Sequence, residues 1–338
     1  HQAPAQEASH RGLPYASARF CSRFHPYHDW RDMRRIRRLV VEREINIVHA
    51  HRGKEHSLAA LALRGCPRKV PLVRTRHVVM PIRDHAANRW LYRHATAGVI
   101  CVSQAVDAVV SRDLPYFTGP KRVIPSGGLL RRLNGSEAEA MDLRKRLHLT
   151  PETRVLTLVA RIAAIKGHLH AVDALARVLP RHPEAVLVFA YPRANAAWRE
   201  KIEARIAELD LHDRVRWLGG LDRIGPLLRL TDIGLVASTG SEGWSRAAAE
   251  FQSCGVPVVA TRVGSLPEIV ADGQTGLLVP PADADALAAA VGRLLDDAEQ
   301  RRQMGGAAAG RRSFYSHERM TDDVLAFYDE VLAEIGRA

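Results

Sequence analysis

Short apolar segments alternate with longer amphipathic segments along this chain of 338 residues. The amphipathic stretches include residues 32–43 and 57–63, whose spacing predicts helices. The apolar segments predict strands at residues 45–48, 70–73, 98–102, 122–125, 155–160, 185–190, 215–218, 233–237, 256–261 and 276–279. Strands and helices that alternate in this way indicate parallel sheets built from βαβ units.

The predicted strands fall into two series that are separated by a polar stretch. Residues 126–152 are mostly polar and are predicted to connect two domains. We therefore expect one domain at residues 1–127 and a second at residues 128–315. Residues 318–335 have the apolar spacing of an amphipathic helix, and we expect residues 316–338 to pack back towards the first domain. The predicted fold class is α/β, with two doubly wound domains that face one another.

The composition is that of a globular protein, with 46% hydrophobic and 6% aromatic residues. No apolar run approaches the roughly 18 residues that cross a bilayer, and the start of the chain does not resemble a signal peptide. Cys21, Cys66, Cys101 and Cys254 lack Cys-x-x-Cys spacing, which favours free thiols in a reducing compartment. We therefore expect a cytoplasmic enzyme.

The net charge of +12 is concentrated in the N-terminal part of the chain. Residues 1–140 contain 24 Lys and Arg residues against 11 Asp and Glu residues, whereas the rest of the chain has 25 against 26. Such a field attracts phosphorylated substrates, acidic lipid headgroups or nucleic acid. We do not expect a nucleic-acid partner, because no helix-turn-helix, zinc or basic–aromatic motif accompanies the charge.

One basic segment has helical spacing. Residues 31–38 include five arginines, and Trp30, Met33, Ile36 and Val40 recur at intervals typical of one helix face. This segment fits a helix that lies on an anionic membrane or meets an acidic acceptor. It equally fits a solvated helix that packs its apolar stripe on a sheet. Both interpretations stay open.

Glu242 and Glu250 are eight positions apart, just before an apolar strand signal. At about 100° per residue, eight positions make a little over two helical turns, so a helix that begins near Gly243 would place both carboxylates on one side. Helix N-termini at strand-to-helix junctions present unpaired N–H groups to phosphates. The spacing therefore predicts two carboxylates that face one cleft.

Two cations, Arg161 and Lys166, flank a short loop after the predicted strand 155–160. A diphosphate that departs as a leaving group is multiply charged and needs cations held nearby. Five positions let both side chains reach one diphosphate, from the strand end and from the start of the next helix. The alternative is a pair of solvated surface charges.

His49 and His51 share one face of a predicted strand, and His56 follows shortly after. A metal site would need three ligands with supporting partners, and the sequence fixes no carboxylate beside these histidines. We expect no metal here and interpret the three as acceptor-cleft or structural side chains.

Several motifs occur in a fixed order along the chain. They are residues 47–51, 73–77, 101–105, 123–128, 159–167 and 241–280. In their order and spacing the chain resembles the family 4 glycosyltransferases, which are retaining enzymes with two Rossmann-like domains (the GT-B fold) and a Glu-x7-Glu motif. Within that family we expect the type that builds lipopolysaccharide and other cell-envelope glycans.

The resemblance implies roles for the charged residues. Arg161 and Lys166 would contact the donor diphosphate in place of a metal. Glu242 would hydrogen-bond the sugar hydroxyls, and Glu250 would accept hydrogen bonds from the two ribose hydroxyls. His77 would lie beside the reacting sugar, with a hydrogen-bonded histidine at a strand end as the alternative.

The sequence departs from the family pattern in the donor loop and at the start of the chain, and also at residues 126–128 and 189–192. Gly243, Trp244 and Ser245, whose backbone amides would face the donor, stand where the family usually has Gly-Phe-Gly, and the bulkier loop would narrow the sugar pocket. Family members begin with a strand and a Gly-Gly loop, which residues 1–10 do not match. We interpret this as an omitted front segment rather than a fragmentary protein.

The implied activity is transfer of a hexosyl group from a UDP-, GDP- or ADP-sugar to a glycan or glycolipid hydroxyl, with retention and without metal or cofactor. The expected location is the cytoplasm, with the inner face of the cytoplasmic membrane as a further site of action for the basic N-terminal half. The alternatives are a GT-B nucleotide-sugar epimerase and a catalytically idle partner subunit. The presence of Arg161, Lys166, Glu242 and Glu250 together argues against an idle subunit.

Overall fold

The computed structural model describes residues 24–128, 130–220 and 223–337, together with isolated positions between residues 12 and 20. The departure expected at residues 1–10 lies outside the described residues. Two separate parallel sheets are present, which confirms the predicted α/β class with two parallel-sheet domains.

The first sheet has four parallel strands in the order β1-β2-β3-β4. They are β1 Val48–Ala50, β2 Leu72–Arg76, β3 Gly98–Cys101 and β4 Lys121–Val123. The helices of this region are α1 Pro26–Glu42, α2 Gly53–Leu63, α3 Ala86–Trp90, which continues as a π-helical turn over Leu91–Ala95, and α4 Gln104–Asp113. Because the strands are parallel, their carboxyl ends meet at one edge of the sheet.

The second sheet has six parallel strands in the order β10-β9-β8-β5-β6-β7. They are β5 Arg154–Val159, β6 Ala185–Tyr191, β7 Val215–Gly219, β8 Ile233–Val236, β9 Val258–Thr261 and β10 Gly276–Val279. Strand order reverses between β5 and β8, which are hydrogen-bonded neighbours. In doubly wound sheets, ligands bind outside the carboxyl ends of the strands at such a reversal.

The helices of the second domain cover both faces of its sheet. They are α5 Glu137–Arg146, α6 His168–Val178, α7 Ala196–Glu208, α8 Gly225–Leu230, α9 Arg246–Ser253, α10 Leu266–Ile269, α11 Ala284–Asp296 and α12 Ala298–Ala309. The central strands are apolar throughout because both faces are covered: Leu156, Leu158, Leu187 and Phe189 are each at most 2% exposed.

The polar stretch at residues 126–152 contains helix α5, which the sequence analysis did not predict. Ser136 caps this helix by accepting a hydrogen bond from the Glu139 backbone N–H, and the Glu139 carboxylate accepts one from the Ser136 backbone N–H. Ala140 and Leu143 bury the apolar side of α5 in the core of the second domain. An apolar stripe of only these two side chains gives little periodic signal, which explains the omission.

The last helix, α13 His317–Arg337, crosses back to the first sheet. Phe327 and Val331 are at most 1% exposed and pack against Val73, Ile100 and Ile124. Beside this crossing, the Gly128 backbone N–H donates to the Tyr315 carbonyl over 2.8 Å, so the two chain passages between the domains are hydrogen-bonded to one another.

Candidate functional site

The carboxyl ends of the two sheets face each other, and the loops there bring the sequence-predicted residues together. Gly243, in the loop after β8, lies directly against the backbone carbonyl of His77, in the loop after β2. A side chain at residue 243 would overlap that carbonyl oxygen. The Glu242 loop of the second domain therefore touches the first domain at the carboxyl end of β2.

Lys166 and Glu242 form an ion pair at this edge of the second sheet. The Ser238 hydroxyl donates a second hydrogen bond to the same carboxylate oxygen over 2.5 Å. Glu242 is 6% exposed and Ser238 2%, so a buried carboxylate is balanced by one cation and one hydroxyl. The sequence analysis gave Lys166 and Glu242 separate roles and did not anticipate that they pair.

The turn that presents Lys166 depends on a glycine. Gly167 has φ +69° and lies so close to the Ala237 backbone carbonyl that a Cβ would overlap it. Helix α6 begins at the next residue, so its N-terminus faces the same edge of the sheet. Arg161 follows β5 and is exposed, and no hydrogen bond or ion pair of its side chain is found within the described residues.

Glu250 lies inside α9 and is 8% exposed. Burial raises the pKa of its carboxyl, and the nearby charges of Arg132 and Arg246 lower it to a smaller extent. One guanidinium nitrogen of Arg132 lies 3.4 Å from Glu250 Oε1. A small pocket opens beside this carboxylate, lined by Ser126, Gly128, Leu133, Trp244, Arg246, Ala249, Ser253 and Tyr315. Glu250 lines this pocket, whereas the Glu242 carboxylate is bonded to Lys166 and Ser238.

The remaining two residues of the predicted donor loop have distinct local positions. Ser245 is the N-cap of α9, where its hydroxyl accepts a hydrogen bond from the Ala248 backbone N–H over 3.4 Å. The Trp244 ring lies 6.4 Å from the Tyr315 ring and lines the Glu250 pocket. Its indole N–H is buried and has no hydrogen-bond partner among the residues that the structure describes.

His77 belongs to a line of histidines on the first domain. Its Nε2 lies 3.0 Å from His51 Nδ1, and the His51 ring stacks on His49 at 4.3 Å. His49 is held by the Tyr328 hydroxyl at 2.5 Å and the Thr75 hydroxyl at 2.6 Å. Helix α13 therefore supplies a hydroxyl to the far end of a hydrogen-bonded and stacked array that ends at His77.

These histidines are neutral at pH 7. Burial lowers the pKa of His49 to about 3 and that of His77 to about 4, and it also lowers the pKa of His51. The positive charge of Arg74 on β2 lowers all three further. Arg74 is 6% exposed, and its Nε and Nη1 have no hydrogen-bond partner in the described part of the chain. Neutral imidazoles offer one donor and one acceptor each.

Metal ligation was considered from the sequence for His49, His51 and His56. In the structure His56 lies apart from the array, 1% exposed, with its Nε2 2.9 Å from the Thr96 hydroxyl. Across residues 24–128, 130–220 and 223–337 there is no group of three or more His, Cys, Asp or Glu side chains that could hold a metal ion. The absence of a metal from the reaction stays a prediction.

Glu268 is a further residue to which the sequence analysis gave no role. Glu268, in α10, accepts hydrogen bonds from the backbone N–H groups of Gln104 and Ala105 at the start of α4, over 2.7 Å and 2.8 Å. The motif that contains Glu268 was recognised, but its partners lie more than 160 residues away in the other domain. No local pattern could have identified them.

Comparison with known proteins agrees with this architecture. The model of the family "Glycosyl transferases group 1" matches residues 141–311, and that of "Glycosyltransferase Family 4" matches residues 1–127. A D-inositol 3-phosphate glycosyltransferase of Acidothermus cellulolyticus is 30% identical over 313 residues, which are 86% of this chain and 68% of that protein.

Solved structures show the same fold. A glycosyltransferase of Rickettsia africae superposes with a TM-score of 0.86 at 20% identity, covering 97% of this chain and 87% of its own. The Anabaena protein HepE, in complex with UDP, has a TM-score of 0.84 at 20% identity, covering 97% and 89%. Because the family models and the relative match most of the chain, this protein belongs to the family 4-type glycosyltransferases, with the GT-B fold.

Proposed function

We propose that this protein transfers a hexosyl group from a nucleoside-diphosphate sugar to an acceptor hydroxyl, with retention of anomeric configuration and without a metal. The observation that carries the proposal is the Lys166–Glu242 ion pair. It lies where the strand order of the second sheet reverses, between β5 and β8, and beside the contact of Gly243 with His77. A donor diphosphate would take over the Lys166 ammonium. The Glu242 carboxylate would then accept hydrogen bonds from sugar hydroxyls.

Two cations would stabilise the departing diphosphate. Arg161 is exposed and free to reorient, while Lys166 is held close to the N-terminus of α6. Their charges and the N–H groups of that helix would oppose the negative charge that grows on the leaving group. This arrangement supports catalysis without a metal, because the cation that a metal would supply comes from the chain itself.

Retention would follow from attack on the same face as the departing diphosphate. The acceptor hydroxyl would lose its proton to the leaving phosphate oxygen as the new glycosidic bond forms. Glu242 is a poor candidate for a covalent nucleophile, since in the donor complex its carboxylate would accept hydrogen bonds from the Ser238 hydroxyl and from sugar hydroxyls. This favours a front-face reaction over a double displacement.

Glu250 would hold the nucleoside. Its carboxylate is buried in α9 and borders the pocket that Trp244 and Tyr315 line. A carboxylate in such a position accepts hydrogen bonds from two vicinal ribose hydroxyls. UDP is the first nucleotide to test, because the Anabaena protein of the same fold binds it; GDP and ADP are the alternatives.

The acceptor is proposed to be an anionic glycan or glycolipid of the cell envelope. The excess positive charge lies in the first domain, and the relative from Acidothermus acts on an inositol phosphate. The array of His51 and His77 would line the acceptor side of the cleft. Neutral imidazoles there can hydrogen-bond acceptor hydroxyls without adding charge.

Helix α1 supports contact with an anionic membrane on the cytoplasmic side. Tyr27 is 59% and Trp30 49% exposed, and the guanidinium groups of Arg31 and Arg34 lie over their rings at 5.7 Å and 4.7 Å. Exposed aromatic and basic side chains on one helix face are typical of interfacial binding. No helix of the described residues has the length and apolarity to pass through a bilayer. Cosedimentation with phosphatidylglycerol vesicles, but not with phosphatidylcholine vesicles, would support the contact.

The decisive experiment is a panel of UDP-, GDP- and ADP-sugars scored for thermal stabilisation and for slow donor hydrolysis, with and without EDTA. One nucleotide series is expected to stabilise the protein, EDTA is expected to have no effect, and proton NMR of the product is expected to show the donor's anomeric configuration. Absence of stabilisation by every donor would contradict the proposal. Interconversion of a free donor without acceptor would instead indicate an epimerase.

A further inference from the structure

One contact joins the two domains through charge. The Glu268 carboxylate of the second domain accepts hydrogen bonds from the Gln104 N–H over 2.7 Å and the Ala105 N–H over 2.8 Å. Both N–H groups belong to the first turn of α4 in the first domain. Each carboxylate oxygen has its own donor, so the contact is bidentate.

The N–H groups of Gln104 and Ala105 have no hydrogen-bond partner inside helix α4. Its N-cap, Ser103, accepts a hydrogen bond from the Val106 N–H over 3.2 Å, and the first N–H groups of a helix have no partner within the helix. A carboxylate at this end also interacts favourably with the helix dipole. Glu268 therefore accepts hydrogen bonds from two N–H groups that would bond to water if the domains separated.

The segment that carries Glu268 is bonded to the donor-site loop. The Ser265 N–H donates to the Glu242 carbonyl over 2.9 Å, and the Glu268 N–H donates to the Ser265 carbonyl over 3.0 Å. Gly264, with φ +54°, lies against the Glu242 backbone so closely that a Cβ would overlap it. On the other side, Arg311 donates to the Ile269 carbonyl over 2.7 Å. The position of Glu268 is thus fixed relative to Glu242.

We propose that Glu268 is a positioning residue that holds the two domains together during sugar transfer. Its bond to the N-terminus of α4 keeps the Gly243 loop against His77 and so completes the cleft in which the donor and the acceptor meet. This role rests on the proposed function, and it adds the contact that links the donor site to closure of the two domains. Glu268 acts through the backbone and touches no substrate.

Two variants remove the contact from opposite sides. Glu268→Ala removes the acceptor. Gln104→Pro removes one donor, because proline has no N–H and is well tolerated at the first position of a helix. The preceding Ser103 has φ −163° and ψ 164°, an extended conformation that is compatible with a following proline.

A matched control keeps the same chemistry inside one domain. The Glu139 carboxylate also accepts a backbone N–H at a helix start, from Ser136 over 2.8 Å, and pairs with Arg223. Glu139→Ala therefore removes a capping carboxylate of the second domain without touching the first. It is expected to lower thermal stability about as much as Glu268→Ala does, and to leave transfer unchanged.

The experiment measures transfer, donor hydrolysis and UDP affinity, together with small-angle scattering with and without UDP. Each single variant is expected to lower kcat for transfer about tenfold, the effect of losing a charge-assisted hydrogen bond. The UDP Kd should change less than threefold, hydrolysis should rise relative to transfer, and the UDP-bound radius of gyration should increase. The double variant should lose no more activity than Glu268→Ala alone.

Three outcomes distinguish a failure of this inference from a failure of the proposed function. If the unmodified protein transfers sugar and both variants retain its kcat and its UDP-bound scattering profile, Glu268 is not a positioning residue. The same conclusion follows if the losses of the two single variants add up in the double variant. If the unmodified protein binds no nucleotide at all, the proposed function itself is wrong.

Discussion

Gly243 lies against the backbone carbonyl of His77, so two loops from different domains touch where the motif of the second domain begins. The contact leaves no space for a Cβ atom at residue 243. This explains in physical terms why a glycine follows Glu242 in this chain. Any side chain there would push the Glu242 loop away from the carboxyl end of β2 in the first domain.

Gly243→Ala is therefore expected to lower sugar transfer strongly, by at least about tenfold, because the added methyl group must move backbone rather than a flexible side chain. Nucleotide binding, which depends on the second domain, should change much less. Steady-state transfer assays and calorimetry with UDP would check both.

The control for this substitution is Gly292→Ala in α11, where a Cβ would meet no atom within 4 Å. This variant should be as active as the unmodified protein and more stable by about 0.5–1 kcal/mol, because alanine favours a helix over glycine. Equal activity of Gly243→Ala and Gly292→Ala would show that closure at His77 does not matter for transfer.

Removal of Lys166 tests the ion pair with Glu242. Lys166→Met leaves a buried carboxylate with the Ser238 hydroxyl as its remaining hydrogen bond, so the free energy of unfolding should fall by about 1–3 kcal/mol. The double variant Lys166→Met/Glu242→Gln should recover part of this loss but none of the activity. Urea unfolding followed by circular dichroism, beside transfer assays, measures both.

The exposed pair of Arg302 and Glu299 provides the comparison for Lys166. Arg302→Met should change the free energy of unfolding by less than about 0.5 kcal/mol, since exposed ion pairs contribute little. A Lys166→Met variant that is as stable as Arg302→Met would mean that Glu242 is not a buried partner of Lys166.

Much of the fold could be predicted from the sequence because parallel strands buried on both faces leave continuous apolar segments. The strand predicted at residues 276–279 coincides with β10, whereas the one predicted at residues 45–48 begins too early. Glu44 has φ +49°, and the Ile45 N–H donates to the Val40 carbonyl over 3.0 Å. Ile45 is therefore hydrogen-bonded back to the last turn of α1 instead of starting a strand. Hydrophobicity alone cannot distinguish a residue that follows a helix in this way from the first residue of a strand.

The candidate site was predictable as a set of residues but not as a set of contacts. Glu242 and Glu250 could be named from their spacing, but the predicted helix start near Gly243 is wrong, because α9 begins at Arg246 and Glu242 lies in the loop before it. Their partners could not be named, because Lys166 and Arg132 come from distant segments and reach them only after the second domain has folded. The contact of Glu268 with α4 depends in addition on how the two domains meet.

His168 should make the stability of the protein dependent on pH. It is 2% exposed at the start of α6, and neither ring nitrogen has a hydrogen-bond partner in the part of the chain that the structure describes. Burial, and to a smaller extent the charge of Lys166, lowers its pKa to about 4 from the ordinary value of 6.5. The unfolded chain therefore binds a proton that the folded protein excludes, and the stability present above pH 6.5 is lost as the pH falls towards 4.

His168→Leu should remove this dependence. The slope of the unfolding free energy against pH should decrease by about 1.4 kcal/mol per pH unit between pH 6 and 4.5. At pH 7.5 the variant should be at least as stable as the unmodified protein, since leucine has no unpaired polar atoms to bury. Urea titrations at several pH values measure the slope, and an unchanged slope would show that His168 is not a buried neutral imidazole.

Glu250→Gln tests the nucleoside site most directly, because the change keeps the size of the side chain and removes only its charge and one acceptor. If the carboxylate holds the ribose hydroxyls, the Kd for UDP should rise about 10- to 100-fold, the range for hydrogen bonds to a charged group. Burial raises the pKa of this carboxyl. As the pH is lowered, the carboxylate of the unmodified protein should therefore be protonated, and its affinity for UDP should fall, at a higher pH than for an ordinary glutamate. The variant has no carboxylate at this position and should lack this pH dependence. Calorimetry with UDP between pH 5 and 8 measures both effects, with the exposed Glu299→Gln as the control of equal charge change. Equal affinities of the two variants for UDP would remove Glu250 from the donor site.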